Sequence, residues 1–469
     1  MKSKMIVGFV MTALCVNLAF AVEDIHTGTV VVGSGISGMK AAIDLKTAKK
    51  DVVVVEKMPF MGGTTNLAAQ YFVVVETEPQ TKAGKTLTVA DYLKRKEKTG
   101  LSKEALLREA EQLYAADGIV KWLNDNGAEL TRVVSDYQIG IAGGTSLGPR
   151  LMQVMSKKAK EVGVPVKLNT KAVALIIEDG KVKGIEVEQG KGIEVEQGKG
   201  IEVEQGKEKY KIFADNVVLA TGGFANNPAL MERYAPEWKG LPTTTAKGST
   251  GDAIILGQPL KVLVEEPAEV YLNPSMHSQD GNNVSMSAAR LEGGIIVNLK
   301  GERFCDDYTP NYTTMSRLMM KQPEGKSFVI IDDKSMKASK RLQGFKQKGY
   351  FVEAPTVAEL AKKIGVPAEN LEKTIKRYSE FVKNGKDEDF GRKYNMKTDF
   401  TTPPYYATST TPGVQTTPGG VKTNSFMQAR TTDGKIIPNV YVVGEASKGT
   451  ATVYGMWSGT KAAEHILSK

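Results

Sequence analysis

Thr29-Val-Val-Val-Gly33-Ser-Gly35-Ile-Ser-Gly38-Met-Lys-Ala-Ala-Ile-Asp-Leu45 is the stretch on which the fold turns. A β-branched run ends at Gly33, a helical pattern begins after Gly38, and the spacing between them is G-x-G-x-x-G. The three glycines do different things. Gly33 permits a tight strand-to-helix turn, Gly35 admits a pyrophosphate against the backbone, and Gly38 lets helix and strand pack closely. The free N–H groups and the dipole of the helix N-terminus then favour phosphate. A second apolar run, Asp51-Val-Val-Val-Val-Glu56, places an acid 18 residues after Gly38, as a ribose-binding carboxylate requires. Strand, turn, helix, strand and acid in this order predict an α/β dinucleotide-binding domain; the motif alone admits any dinucleotide.

The rest of the chain bounds the answer. At 469 residues it exceeds what one core serves, so a second subdomain is expected. The net charge of +9 comes from scattered lysines, and no basic block is interleaved with aromatics, which argues against nucleic-acid binding. Lys2 and Lys4, the apolar run Met5 to Leu18, and Ala19-Phe20-Ala21 predict a signal peptide cut after Ala21 and an exported, periplasmic protein. The apolar run is short for a membrane anchor. After that cut only Cys305 remains, and no C-x-x-C-H sequence attaches haem. The only histidines are His26, His277 and His465, so acid–base chemistry falls to Tyr, Arg, Lys or carboxylates; His277 reads as a surface histidine.

Several later stretches extend the nucleotide motif. Lys57 leads into Gly62-Gly63-Thr64-Thr65-Asn66, suited to close approach of a flat ring system. Residues 88–128 have the spacing of amphipathic helices, and Gly143-Gly144 precede another, Arg150 to Val162. Gly184-Ile-Glu-Val-Glu-Gln-Gly-Lys191 recurs at 192–199 and 200–207; its alternation and Gly-Lys turns read as a duplicated, lengthened surface hairpin. A buried-strand run ends on Thr221-Gly222-Gly223, Gly251-Asp252 follow, and Asn439-Val-Tyr-Val-Val-Gly444-Glu445 repeats the strand pattern. Residues 272–414, rich in Met, Tyr, Asn and Ser, read as a separate α+β lobe.

In combination and order, Gly33–Gly38, Glu56, Gly62–Thr65, Thr221-Gly222 and Gly444-Glu445 resemble the FAD-binding flavoproteins of the fumarate reductase/succinate dehydrogenase family. The closest likeness is to the soluble periplasmic flavocytochrome c branch, with its fumarate, urocanate and methacrylate-type reductases. The resemblance implies non-covalent FAD, held by Gly33, Gly35, Ser37, Gly38, Glu56, Lys57, Gly63, Thr64, Thr65, Gly143, Gly144, Thr221, Gly222, Gly251, Asp252, Gly444 and Glu445. It implies a Rossmann-type FAD domain from residues 22–271 and 415–469, interrupted by a mobile cap at 272–414. The family exchanges hydride between flavin N5 and an activated carbon–carbon bond, while a protein group handles the proton.

The cap departs from that pattern. The family's His-Pro-Thr is Asn273-Pro274-Ser275, and its Thr-Glu-x-x-Arg is Met286-Ser287-Ala-Ala-Arg290. Arg303-Phe304-Cys305-Asp306-Asp307 leads to Tyr308 and Tyr312 with no arginine at the expected place. His-His-Thr-x-Gly-Gly is Gln415-Thr416-Thr417-Pro418-Gly419-Gly420, and the family's C-terminal substrate arginine is absent, with Val453-Tyr454-Gly455-Met456-Trp457 in its neighbourhood. A dicarboxylate needs cationic clamps at both ends. These residues therefore point to an unsaturated acid other than fumarate, with Tyr312 as leading proton donor beside Arg290, and Tyr308 and Tyr454 behind it. With neither haem nor nicotinamide domain, the expected electron donor is a separate multihaem cytochrome c. A ketosteroid-like dehydrogenase and a non-catalytic electron-transfer flavoprotein are the alternatives.

Overall fold

The structure, a computed structural model, describes residues 23–68, 71–98, 103–190, 207–265, 270–279, 282–309, 311–447, 449 and 452–469. The expected signal peptide and nearly all of the second and third octapeptide copies lie outside the described residues.

The strand Ile25–Val32 runs parallel to Val52–Val55 on one side (Val30↔Val53) and to Lys207–Leu219 on the other (Val30↔Val217). Ile436–Val442 extends the sheet in parallel beyond Lys207–Leu219, and Val166–Lys167 extends it beyond Val52–Val55. Successive valines point to opposite faces, and both faces are covered, which is why these strands are continuously apolar. Val31, Val54 and Val218 join one core with Met39, Leu45 and Met155, from the helices Ile36–Thr47 and Leu147–Val162. Val30, Val53 and Val217 join a second core on the opposite face.

Gly33 makes the turn with φ +107°, and a Cβ there would stand 2.3 Å from the Ala220 carbonyl oxygen. That approach seats Thr221 and Gly222 beside the phosphate-binding turn. The C-terminal helix Thr452–Leu467 packs along Ile36–Thr47, close enough that a Cβ on Gly459 would meet the Ser37 oxygen at 2.4 Å. Residues 88–128 form three helices, Val89–Glu97, Lys103–Tyr114 and Ala116–Asp125. The first octapeptide copy lies in the strand Lys181–Gly190, antiparallel to Lys207–Leu219, with Gly190 opposite Lys207.

The chain leaves this domain after Val264–Glu265 and returns at Gly420–Val421, and the two short strands pair with each other. Between them lies a sheet centred on Tyr271–Gln279, Tyr405–Thr416 and Ser327–Asp332, all antiparallel. The expected boundaries at 272 and 414 fall within its first and last strands. Helices Val357–Ile364 and Ala368–Asn384 close one core of this lobe, and Tyr312–Met320 and Lys340–Gln347 border the other. The lobe also buries a charge cluster. Arg303 pairs with Asp307 (2.6 Å) and Asp387 (2.8 Å), and Arg392 joins through Asp307 at 3.3 Å.

His277 corrects a sequence expectation. It is 8% exposed, its Nδ1 lies 3.0 Å from the Ser409 carbonyl oxygen, and its ring packs against Tyr350. Its strand is paired on both sides, by Asn282–Ser285 and Tyr405–Thr416, and the imidazole is internal.

Candidate active site

A cavity of about 500 Å³ runs from the glycine turn to the underside of the cap. At the glycine end its walls include Gly33, Gly35, Ser37, Glu56 and Gly444. The Glu56 carboxylate is held rigidly. Its Oε2 accepts from the Ser34 amide (3.0 Å) and hydroxyl (2.7 Å), and its Oε1 from the Met58 amide (2.9 Å). Thr65 Oγ1 accepts from the Ile36 amide at 3.2 Å, tying the 62–66 loop to the helix start. Thr64 bonds Ser249 at 3.0 Å, and Lys57 reaches both Asp252 and Thr250 at 2.7 Å. Gly63 borders open space, with nothing within 4 Å of where a Cβ would stand.

Glu445 lies deeper. Its Oε1 accepts from the Thr417 amide at 2.9 Å and sits where a Cβ on Gly223 would clash. Burial pushes its carboxyl up to about 7, with the hydrogen bonds from Thr417 and Gly223 pulling the other way. Thr416 Oγ1, also on the wall, is buried with no hydrogen-bond partner among the described residues.

The cap end of the wall is uncharged apart from Arg341. Asn273 donates to Ser285 (2.8 Å) and accepts from the Ser275 amide (2.9 Å) and the Ser287 hydroxyl (3.3 Å), forming a satisfied polar cluster. Tyr312 opens the helix Tyr312–Met320, which Asn311 caps by accepting from the Thr314 amide at 2.8 Å. Directly behind it lies Arg290, fully buried, its guanidinium 4.8 Å from the Tyr312 ring centroid. Arg290 Nε donates to Ser275 (3.3 Å) and Nη1 to the Asp307 carbonyl (2.9 Å), while Nη2 has no hydrogen-bond acceptor among the described residues. Burial lowers the Arg290 pKa from its ordinary value, with Tyr312, Cys305 and Asp307 opposing.

The sequence candidates thus separate. Gly33, Gly35, Ser37, Glu56, Lys57, Gly63, Thr64, Thr65, Thr221, Gly222, Asp252, Gly444, Glu445 and Tyr312 all line the cavity. Gly38 and Gly251 serve packing instead. A Cβ on Gly38 would meet the Gly33 oxygen at 2.2 Å, and one on Gly251 would meet Leu230 at 2.3 Å. Three readings are corrected. Gly143 and Gly144 are exposed with φ of +70° and +75° and are not among the residues that line the cavity. Tyr454 is 3% exposed in the core under the C-terminal helix, its hydroxyl 3.0 Å from Ser447. Tyr308 packs on Tyr394 at 5.6 Å, off the wall.

Two wall residues, Tyr71 and Arg341, escape the sequence reading. Burial raises the Tyr71 pKa, while Arg132 and Arg341 lower it. Arg341 lies in a Lys-Arg stretch that reads as solvated surface, and no local signal marks it.

The glycine turn, the buttressed Glu56, the open backbone at Gly63 and the unsatisfied Thr416 hydroxyl fit a dinucleotide flavin. Together they define a Rossmann-type FAD flavoprotein whose cavity runs from the glycine turn to an inserted cap. Residues 28–459 match the family described as FAD binding domain, and the chain belongs to it. The chain is 29% identical over 465 residues to a probable fumarate reductase of Shewanella frigidimarina, covering 94% of this chain and 76% of that protein. It is 25% identical over 443 residues to urocanate reductase of Eggerthella lenta, covering 89% and 69%. Among solved structures, an open flavocytochrome c3 fumarate reductase superposes with a TM-score of 0.78 at 28% identity, covering 95% of this chain and 79% of that one. The chain is an FAD-dependent oxidoreductase of the fumarate reductase-like kind. Among the described residues, no helix is long and apolar enough to cross a membrane.

Proposed function

We propose that this protein reduces the C=C bond of an α,β-unsaturated carboxylate other than fumarate in the periplasm, drawing electrons from a separate cytochrome c. FAD, when bound, supplies the hydride. On this reading Glu56 would hold the adenosine ribose, the amides around Gly33–Ser37 the pyrophosphate, and Glu445 the ribityl chain.

The observation that carries the reading is the pair of Tyr312 on the cavity wall and Arg290 buried behind its ring at 4.8 Å. Tyr312 Oη gives the proton to the carbon next to the one that takes hydride, and Arg290 stabilises the phenolate left behind. Among the described residues the buried Nη2 of Arg290 has no acceptor, so it offers a donor to that oxygen without losing its other bonds. Asn273, Ser285 and Ser287 form a neutral wall, which suits a substrate with an uncharged far end.

The test is to reduce the exported holoprotein with a viologen and follow reoxidation by acrylate, methacrylate, cinnamate, urocanate, fumarate and simple enones. Rapid turnover of monocarboxylates is expected. Fumarate turning over as fast overturns the substrate argument, and reoxidation by none overturns the enzymatic reading. Tyr312→Phe is expected to retain FAD and lose kcat by about 10²- to 10⁴-fold, the usual contribution of a positioned general acid; unchanged kcat removes Tyr312 from the reaction.

A further inference from the structure

Cations on the cavity wall are few. Among the described residues that line it, only Lys57 and Arg341 carry positive charge. Lys57 is neutralised at 2.7 Å by Asp252, at the cofactor end. Arg341 makes no hydrogen bond or ion pair with any described residue; its guanidinium lies 5.6 Å from the Phe345 ring. It is half-buried and shares the wall with Tyr71, Tyr312 and Gln415. The wall's carboxylates, Glu56, Asp252 and Glu445, are committed to Ser34 and Met58, to Lys57, and to Thr417.

Arg341 is also held firmly. It follows Lys340 at the start of the helix Lys340–Gln347, where Ser339 Oγ accepts from the Leu342 amide at 3.2 Å and Leu342 is fully buried. An unpaired guanidinium on a capped helix, on the same cavity wall as the proposed proton donor, suits bidentate capture of a carboxylate. One such group serves one carboxylate. The other polar wall residues at the cap end, among them Asn273, Ser285, Ser287, Gln415 and Thr416, carry no positive charge to hold a second.

We infer that Arg341 anchors the substrate's carboxylate and sets the preference for monocarboxylates over dicarboxylates. This rests on the enoate-reductase reading above. Arg341 is a binding and specificity residue; the proton still comes from Tyr312.

The test compares the wild-type holoenzyme with Arg341→Gln and Arg341→Lys in two assays. In the first, the saturated acids propionate and hydrocinnamate are titrated into oxidised protein and binding is read from the flavin absorbance, without turnover. Arg341→Gln is expected to weaken binding by about 10- to 100-fold, as for loss of a charge-assisted hydrogen bond. Arg341→Lys is expected to recover part of it, and succinate to bind the wild type no better than propionate. In the second assay, KM for acrylate and cinnamate rises by a similar factor while KM for acrylamide is unchanged. Equal losses for acid and amide, or no change for either, overturn the anchor while leaving enoate reduction intact. Arg341-dependent binding of the saturated acids without turnover of any enoate supports the anchor and overturns the enoate-reductase reading. Succinate binding much more tightly than propionate overturns the monocarboxylate preference.

Discussion

Glu445 is a single residue with a consequence for the whole protein. Its carboxyl is raised from 4.5 to about 7 by burial, so the folded flavin-free protein holds the proton more tightly than the unfolded chain does. The stability this contributes is complete below about pH 4.5 and is lost as pH rises through 7, a change of about 3 kcal/mol. Thermal unfolding of flavin-free protein should therefore show a falling melting temperature across that window, and Glu445→Gln should flatten it. An identical slope in the variant assigns the effect to other groups. At this scale Gly38 was legible in the sequence, because its would-be Cβ clash with the Gly33 carbonyl oxygen follows from local chain geometry, whereas the clash of Gly33 with Ala220 comes from the neighbouring strand's end. Gly143 and Gly144 show the limit. They have the same composition and positive φ, but they are exposed and do not line the cavity.

The helix Tyr312–Met320 links the proposed proton donor to the cap's seating. One turn beyond Tyr312, Arg317 stacks on Trp238 at 4.7 Å and pairs with Glu237 at 2.5 Å, and both partners belong to the FAD domain. Asn283 adds a second tie to the Thr243 carbonyl at 3.0 Å. The ion pair is exposed, so its worth is modest. With the cation–π contact the latch contributes about 1 kcal/mol, roughly a fivefold bias toward the seated cap. Arg317→Ala should raise KM by about that factor and speed limited proteolysis within 272–414, with Glu237→Ala adding little on top. Additive effects of the two variants refute the latch. None of this was visible in sequence, since Arg317 and Glu237 are 80 residues apart and look like ordinary surface charges.

For the whole molecule, the octapeptide repeat is a test of tolerance. Glu188 faces Lys209 and Gln189 faces Glu208, so the hairpin's register is set outside the extra copies. Deleting residues 192–207 leaves Gln189-Gly190-Lys191-Glu208, which closes the same ladder through a two-residue Gly-Lys turn. The shortened protein should keep FAD content, kcat and melting temperature within a few degrees; loss of FAD would show that the insertion supports the cofactor domain.

By itself the sequence determined how the cofactor is gripped. A β-branched run, three spaced glycines and an acid act over a few tens of residues, and backbone sterics there leave one solution. It also marked the cap by a change in composition, and placed Tyr312 and Arg290 as candidates within it. Only the tertiary structure decided which charges face the cavity. Strands Tyr271–Gln279 and Tyr405–Thr416 pair across more than a hundred residues, with Tyr271 opposite Thr416 and Asn273 opposite Gly413, so that Asn273, Gln415 and Thr416 share one cavity wall. The helix that carries Arg341 packs under the same sheet. Tyr454 and Tyr312 are both tyrosines near glycines or helix starts in the chain. Burial in the helical core removes the first from chemistry, and a position at a cap helix's first turn gives the second to the cavity. Such assignments depend on long-range packing, which local sequence does not encode.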